Sequence, residues 1–155
     1  MRNEMNTDSN EMELVFDAMS ENEGFARVAV AAFMTGINPT LEEVSDVKTA
    51  VSEAVTNAII HGYGFAKSEE GVKNKVRLHC SIHGKYLRVS VEDKGVGIED
   101  VHKAMEPLFT TKPELERSGM GFAFMEAFMD SVQVYSVVGE GTRVVMEKTL
   151  GKDCE

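Results

Sequence analysis

The sequence has no apolar run near the roughly 20 residues that a membrane-spanning helix needs. Its amino terminus is polar and acidic, without the apolar core of a signal peptide. Cysteine is also scarce: there are two, Cys80 and Cys154, and the second lies in a polar tail where a disulfide is not expected. These absences predict a cytoplasmic protein with no membrane association.

Basic residues are outnumbered, with 16 Lys and Arg against 26 Asp and Glu and a net charge of −10. This balance argues against direct nucleic-acid binding, because a phosphate-backbone binder needs a basic patch. It leaves a nucleotide open, since a single ligand needs only a local positive field. The length of 155 residues and the apolar fraction of 43% predict one globular domain over 1–155, with residues 1–11 flexible.

Two helices are indicated in the first half of the chain. Ser20 and Glu23 have the spacing of a capping box, as do Thr40 and Glu43. The second helix should extend over residues 41–60 and end at a glycine. The apolar face predicted for the first helix is Phe25, Val28, Ala29, Ala32 and Phe33. The stripe predicted for the second is Leu41, Val44, Val47, Val51, Ala54, Val55 and Ala58.

Strands are indicated by alternation of apolar and polar residues. An edge strand is expected over 13–18, alternating strands over 76–82 and 87–93, and a closing hairpin over 132–149. Asp93 shares the parity of the apolar residues before it, so its carboxylate should point inward, where it needs hydrogen bonds. The element order predicts an α+β fold, a two-layer sandwich with helices on one face of a mostly antiparallel sheet.

A possible catalytic pair lies on the second predicted helix. Glu53 and Asn57 are four residues apart, so their side chains share one helical surface. An amide oxygen suits Mg²⁺, which prefers hard oxygen ligands and bridges to substrate phosphates. A carboxylate one turn away can accept a proton from an attacking hydroxyl. For this pattern alone, a solvated polar face is the better interpretation.

Glycine-rich segments follow. Gly95 and Gly97 come directly after the strand that ends at Asp93, where glycine lets a flat ring or a phosphate approach the backbone. Gly119 and Gly121 open a helix after a loop, and helix-start N–H groups attract phosphate. Each segment alone is more typical of an ordinary turn or helix start.

The order of these segments resembles the ATPase/kinase superfamily of gyrase B, Hsp90 chaperones, histidine kinases and MutL proteins. Residues 53–62 resemble its N box, 93–98 and 119–121 its two glycine boxes, and 139–142 its last motif. Longer runs, at 25–28, 53–63 and 107–121, resemble the anti-sigma F factors of endospore-forming bacteria. The resemblance covers nearly the whole chain and implies a Bergerat-type ATP-binding fold.

The resemblance implies two linked activities. As a homodimer with bound ATP, the protein would hold the sporulation sigma factor F inactive. As a serine/threonine protein kinase, it would use Mg²⁺ and ATP to phosphorylate a serine of an anti-anti-sigma factor, releasing ADP. Two alternatives stay open: a nucleotide-gated sigma-binding module with negligible catalysis, and a free-standing ATPase.

The resemblance also assigns residues. Glu53 would be the general base, Asn57 the ATP and magnesium ligand, Asp93 the partner of the adenine amine, and Arg27 a partner contact. The remaining ATP-binding positions would be Gly95, Gly97, Gly119, Gly121 and Thr142, with a lid of Thr110, Thr111, Lys112, Arg117 and Ser118. A glutamate beside the substrate favours transfer to serine, because a serine hydroxyl is fully protonated and benefits from a base.

Overall fold

The computed structural model describes residues 9–64, 74–106 and 121–151. These residues form a five-stranded sheet in the order β1-β2-β3-β5-β4, in which all four pairings are antiparallel. The strands are β1 Ser9–Asp17, β2 Lys75–His83, β3 Tyr86–Asp93, β4 Ser131–Val137 and β5 Gly141–Thr149. The predicted α+β fold is confirmed.

Within the described part of the chain, four α-helices accompany the sheet: α1 Glu21–Phe33, α2 Leu41–Asn57, α3 Val101–Ala104 and α4 Gly121–Phe128. A short 3-10 turn, Met34–Ile37, follows α1, and a π-helical turn, Ala58–Tyr63, continues α2. The central helix α2 lies between α1 and α4. No helix in the described ranges is long and apolar enough to cross a membrane.

The core lies between the helices and one face of the sheet. The alternation predicted for β2 and β3 is confirmed, since their inward residues are all buried: Val76, Leu78, Cys80, Ile82, Leu87, Val89, Val91 and Asp93. The hairpin is also confirmed, with Thr142, Val144 and Met146 buried on β5. The residues that alternate with the buried ones on β2 and β3 include exposed charged side chains such as Arg77 and Arg88, as expected for a sheet with one open face.

The capping box at the start of α2 is confirmed. The Glu43 amide donates to the Thr40 hydroxyl at 3.0 Å, and the Thr40 amide donates to the Glu43 carboxylate at 2.8 Å. The predicted apolar stripe is buried from Val47 to Ala58, with Val44 partly buried. Leu41 is an error in that stripe: its side chain is 89% exposed and lines a surface groove beside Arg27.

The prediction for α1 was wrong in two respects. Ser20 precedes the helix, but its side chain makes no capping bond, and the Glu23 carboxylate accepts from the Ser52 hydroxyl of α2. The predicted apolar face is largely outward, because Phe25 and Val28 are 62% and 57% exposed. The buried line is Ala26, Val30 and Met34. Alanine and valine there are small, so α1 and α2 can approach closely.

The ends of two elements also differ from the prediction. Residues 9–11 were expected to be flexible, but they extend β1, pairing Ser9 with His83 and Glu11 with Ser81. The first eight residues lie outside the described part of the chain. The α-helix ends at Asn57, not at residue 60, because the chain widens there into the π-helical turn. Such turns are frequent at functional sites.

Candidate functional site

A cavity of about 610 Å³ opens beside the carboxyl end of α2. The π-helical turn, the loop after β3, α3, the start of α4 and strand β5 supply its walls. Its lining includes Asn57, His61, Gly62, Asp93, Gly97, Lys103, Gly121 and Thr142. The structure therefore brings together residues from all four sequence segments that were singled out.

Asp93 is the buried acid of this cavity, with only 6% of its surface exposed. Burial raises the pKa of its carboxyl from 3.8 to about 6. Backbone N–H groups of Gly95 and Thr142 donate to the carboxylate and oppose that rise, while the nearby Glu92 charge adds to it. A buried carboxylate with acceptor capacity can select a ligand that offers a hydrogen-bond donor.

Glycines let the backbone close around Asp93. A Cβ on Gly62 would lie 2.6 Å from Asp93 Cγ, and a Cβ on Gly95 would collide with the Gly62 carbonyl. Gly97 has a φ of +79°, which favours glycine, and its missing side chain leaves room for the Val137 carbonyl. Gly95 therefore acts on the wall indirectly, since its N–H donates to the Asp93 carboxylate. Gly97 lines the cavity directly.

Thr142 lies beside Asp93 because their two strands are paired in register. Its hydroxyl is 2.8 Å from that of Ser136, which accepts from the Ile98 amide at 2.7 Å. Ser136 thus ties the loop after β3 to the β4–β5 hairpin. Sequence reasoning missed Ser136, since its position beside Thr142 depends on the pairing of β4 with β5.

Tyr63, at the end of the π-helical turn, is a second residue that the sequence analysis missed. It is 9% exposed, and its hydroxyl hydrogen-bonds to the backbone carbonyl of Lys75 and to the backbone amide of Lys94. Its position directly after the glycine at 62 was the only available signal, because both hydrogen-bond partners are more than ten residues away in the chain.

Asn57 and Glu53 line two different depressions of the surface. Asn57 lines the cavity, whereas Glu53 lines a neighbouring groove between α1 and α2 together with Arg27, Lys48 and Ser52. The predicted pair therefore shares a helical surface, but its two members face adjacent depressions. Arg27 is partly buried in that groove, and its Nε has no hydrogen-bond partner within the described residues.

The predicted lid lies outside the described residues. This applies to Thr110, Thr111, Lys112, Arg117, Ser118 and Gly119. Gly121, the first residue of α4, is described, and it is buried and lines the cavity. Of the predicted ATP-binding residues, the described ones thus lie in or directly against a single cavity.

The residues around the cavity fit a loosely held hard cation. Within the described ranges there is no cluster of three or more His, Cys, Asp or Glu side chains that could enclose a metal ion. Asn57 offers one neutral oxygen to the cavity. Magnesium is often held by one or two protein oxygens, with waters and substrate phosphates completing its shell. A single amide ligand is consistent with that arrangement.

Comparison with known proteins agrees with this geometry. Residues 16–148 match the model of the histidine kinase-like ATPase domain. The fold and the cavity thus define a protein of the histidine kinase-like ATPase class, as the resemblance to the superfamily predicted.

The particular family follows from full-length relatives. The chain is 57% identical over 141 residues to an anti-sigma F factor of Clostridium kluyveri, covering 91% of this chain and 95% of the relative. It is 52% identical over 143 residues to an anti-sigma F factor of Oceanobacillus iheyensis, covering 92% and 94%. The chain belongs to the anti-sigma F factor family.

A solved structure shares the fold. The crystal structure of the RsbU and RsbW domains of a Mycobacterium tuberculosis protein aligns with a TM-score of 0.62 and 19% identity. The alignment covers 91% of this chain and spans only 32% of the longer one. At this identity the likeness supports the fold and not a shared activity.

Proposed function

We propose that this protein binds ATP or ADP with Mg²⁺ in the cavity beside α2. As a serine/threonine kinase it transfers the terminal phosphate of ATP to a serine of an anti-anti-sigma factor. As a nucleotide-bound homodimer it holds sigma factor F inactive. The names of its relatives favour the anti-sigma activity, and the matched ATPase domain favours nucleotide use.

The observation that carries the nucleotide assignment is the buried carboxylate of Asp93. A carboxylate held among apolar residues is costly unless a ligand or the backbone donates hydrogen bonds to it. Two donors come from the backbone, at Gly95 and Thr142. The exocyclic amine of adenine would supply a third, and the glycine-rich wall admits a flat ring. Guanine has a carbonyl in place of this amine. Its carbonyl oxygen and the Asp93 carboxylate are both acceptors, so no hydrogen bond would form between them.

Asn57 would hold the magnesium ion at the phosphate end of the cavity. When bound, the ion neutralises charge on the phosphates and helps to orient them. The lid residues Lys112 and Arg117 are proposed to add positive charge there, with Thr110, Thr111, Ser118 and Gly119 as further phosphate contacts. Among the described residues that line the cavity, Lys103 is basic.

Glu53 is proposed as the general base. The acceptor serine hydroxyl loses its proton to the Glu53 carboxylate while its oxygen bonds to the γ-phosphorus, and the bond from that phosphorus to ADP breaks. Glu53 lines the groove between α1 and α2, one helical turn from Asn57 in the cavity lining. A serine hydroxyl carried by a separate protein would approach Glu53 from that groove.

Arg27 is proposed as a partner contact. It lies in the same groove as Glu53, on the helix that also exposes the apolar side chains of Phe25 and Val28. Exposed apolar residues near a cation are typical of a protein-binding surface. We also infer that residues 1–155 act as one domain and work in the cytoplasm, where a sigma factor and its regulators meet.

The test uses ATP labelled at the γ-phosphate, Mg²⁺, and purified anti-anti-sigma factor and sigma factor F. Glu53→Ala should reduce label transfer at least about a hundredfold while ATP affinity and sigma capture stay within about twofold, because a base acts only in the chemical step. Arg27→Ala, from the same groove, is the control and should weaken sigma capture while leaving ATP affinity intact.

Three outcomes separate the alternatives. Normal phosphorylation by Glu53→Ala would remove that residue from the role of base. A wild-type protein that binds ATP and captures sigma factor F but labels no acceptor would be a nucleotide-gated binding module. Steady phosphate release without any protein acceptor would indicate a free-standing ATPase.

A further inference from the structure

We propose that the hydroxyl of Tyr63 is a positioning group that holds Asp93 in place relative to Asn57, and that it thereby sets the preference for adenine. This inference rests on the proposed nucleotide site and adds a specificity determinant to it. The side chain lies behind the cavity wall, so Tyr63 acts through the backbone and not by contact with the ligand.

The Tyr63 hydroxyl is used fully, once as donor and once as acceptor. It donates to the Lys75 carbonyl at 2.5 Å and accepts from the Lys94 amide at 2.7 Å. Lys75 begins β2, and Lys94 directly follows the last residue of β3. One phenol therefore ties the first residue of one strand to the residue that comes immediately after Asp93.

The backbone next to Tyr63 makes a second connection to the same loop. The Gly62 carbonyl accepts from the Val96 amide at 2.8 Å. Gly62 also lies directly against the Asp93 carboxylate, where even a methyl group would be too close. The π-helical turn thus contacts Asp93 itself and two residues of the loop that follows it, Lys94 and Val96.

These contacts connect the two ends of the proposed nucleotide site. Asn57 is the residue that precedes the π-helical turn, and Tyr63 is the last residue in it. The turn therefore joins the proposed metal ligand to the residue that recognises the base. Loss of the phenol hydroxyl would remove the acceptor of the Lys94 N–H and the donor to the Lys75 carbonyl. The segment that carries the carboxylate would then be held less firmly.

A merely structural tyrosine would give a different result from a positioning one. General loosening of the fold would lower affinity for every purine nucleotide alike. Misplacement of Asp93 should affect only ligands that use its carboxylate. ATP and inosine triphosphate separate these cases, because hypoxanthine carries a carbonyl where adenine carries its amine.

The experiment measures ATP and inosine triphosphate affinity of the full chain by calorimetry, for the wild type and Tyr63→Phe. The variant keeps the ring and its packing. We expect its ATP affinity to fall roughly tenfold and its inosine triphosphate affinity to change less than about twofold. The ratio of the two affinities should fall accordingly.

Tyr86→Phe is the matched control. It removes the same atom from a tyrosine whose hydroxyl bonds to Glu147, far from the cavity lining. It should leave both affinities unchanged. An equal loss for both nucleotides in Tyr63→Phe, or no loss for either in a folded variant, would overturn the positioning role.

A second variant separates the positioning role of Tyr63 from the proposed nucleotide site itself. In an Asp93→Asn background, Tyr63→Phe should no longer alter the ratio of ATP to inosine triphosphate affinity, because the carboxylate it positions is gone. A further fall of that ratio would contradict the inference. If the wild type itself binds neither nucleotide, the proposed nucleotide site fails, whatever Tyr63 does.

Discussion

At the scale of single residues, Asp93 is the proposed binding group for the base, and its burial lowers the stability of the folded protein. Its carboxyl is buried, which raises its pKa to about 6, while two backbone N–H groups keep it capable of ionising. Without ligand, the ionised carboxylate is less favourable in the folded protein than in the unfolded chain. An adenine amine would supply the missing donor.

This cost predicts a pH dependence of the nucleotide-free protein. Because the folded-state pKa of Asp93 lies near 6 and the ordinary pKa of an aspartate is 3.8, the folded state binds the proton more tightly. Stability should therefore fall as pH rises from about 4 to 6 and then level off. At about 1.4 kcal/mol per pKa unit, the Asp93 contribution is roughly 3 kcal/mol.

The measurement is urea unfolding of wild type and Asp93→Asn at pH values from 4 to 8. The stability of the variant relative to the wild type should increase between about pH 4 and pH 6, since the amide has no proton to lose. Glu140→Gln, in the exposed turn of the hairpin, is the control and should follow the wild type. If the difference in unfolding free energy between the wild type and Asp93→Asn did not change with pH, the raised pKa of Asp93 would be contradicted.

At the scale of elements, the site depends on the contact between the π-helical turn and the loop after β3. Gly62 and Gly95 meet there without side chains, and the Val96 amide bonds to the Gly62 carbonyl. The helix that carries Asn57 and the strand that carries Asp93 are thus joined by a backbone contact that no other residue pair would allow.

Gly95→Ala tests that contact. The added methyl would collide with the Gly62 carbonyl, so the loop must shift, and overpacking of this kind costs about 1–3 kcal/mol. We expect a lower midpoint in urea and at least a tenfold loss of ATP affinity. Gly36→Ala is the control, because nothing lies within 4 Å of its added methyl. Equal behaviour of the two variants would show that the contact is not required.

The elements also show which features are predictable from the sequence. Strands β2 and β3 were predicted because every second residue is apolar, and that period directly separates inside from outside. The start of α2 was predicted because a capping box uses only local hydrogen bonds. Asp93 was recognised as inward from its parity, and it is buried.

Features that depend on distant partners were not predictable. α1 carries apolar residues on two sides, and the pattern favoured Phe25 and Val28 although the helix buries Ala26 and Val30. The smaller residues face α2 because the two helices pack closely. That packing distance cannot be read from the sequence of α1 alone. Tyr63 and Ser136 likewise gain their roles from bonds to segments far along the chain.

At the scale of the whole molecule, the sheet supplies the proposed base end of the site and the helical layer supplies the proposed phosphate end. Asp93 pairs with Thr142, and Thr142 with Ser136, so β3 and β5 line one side of the cavity and β4 supports it from behind. Asn57 enters from α2, which packs between α1 and α4. A bound nucleotide would contact both layers and should stabilise the protein as a unit.

The most direct test of the account is a crystal structure of the protein with Mg²⁺ and a non-hydrolysable ATP analogue. We predict that the adenine amine lies within hydrogen-bond distance of the Asp93 carboxylate and that the phosphates lie on the Asn57 side of the same cavity. A nucleotide bound elsewhere, or one whose base avoids Asp93, would contradict the central claim.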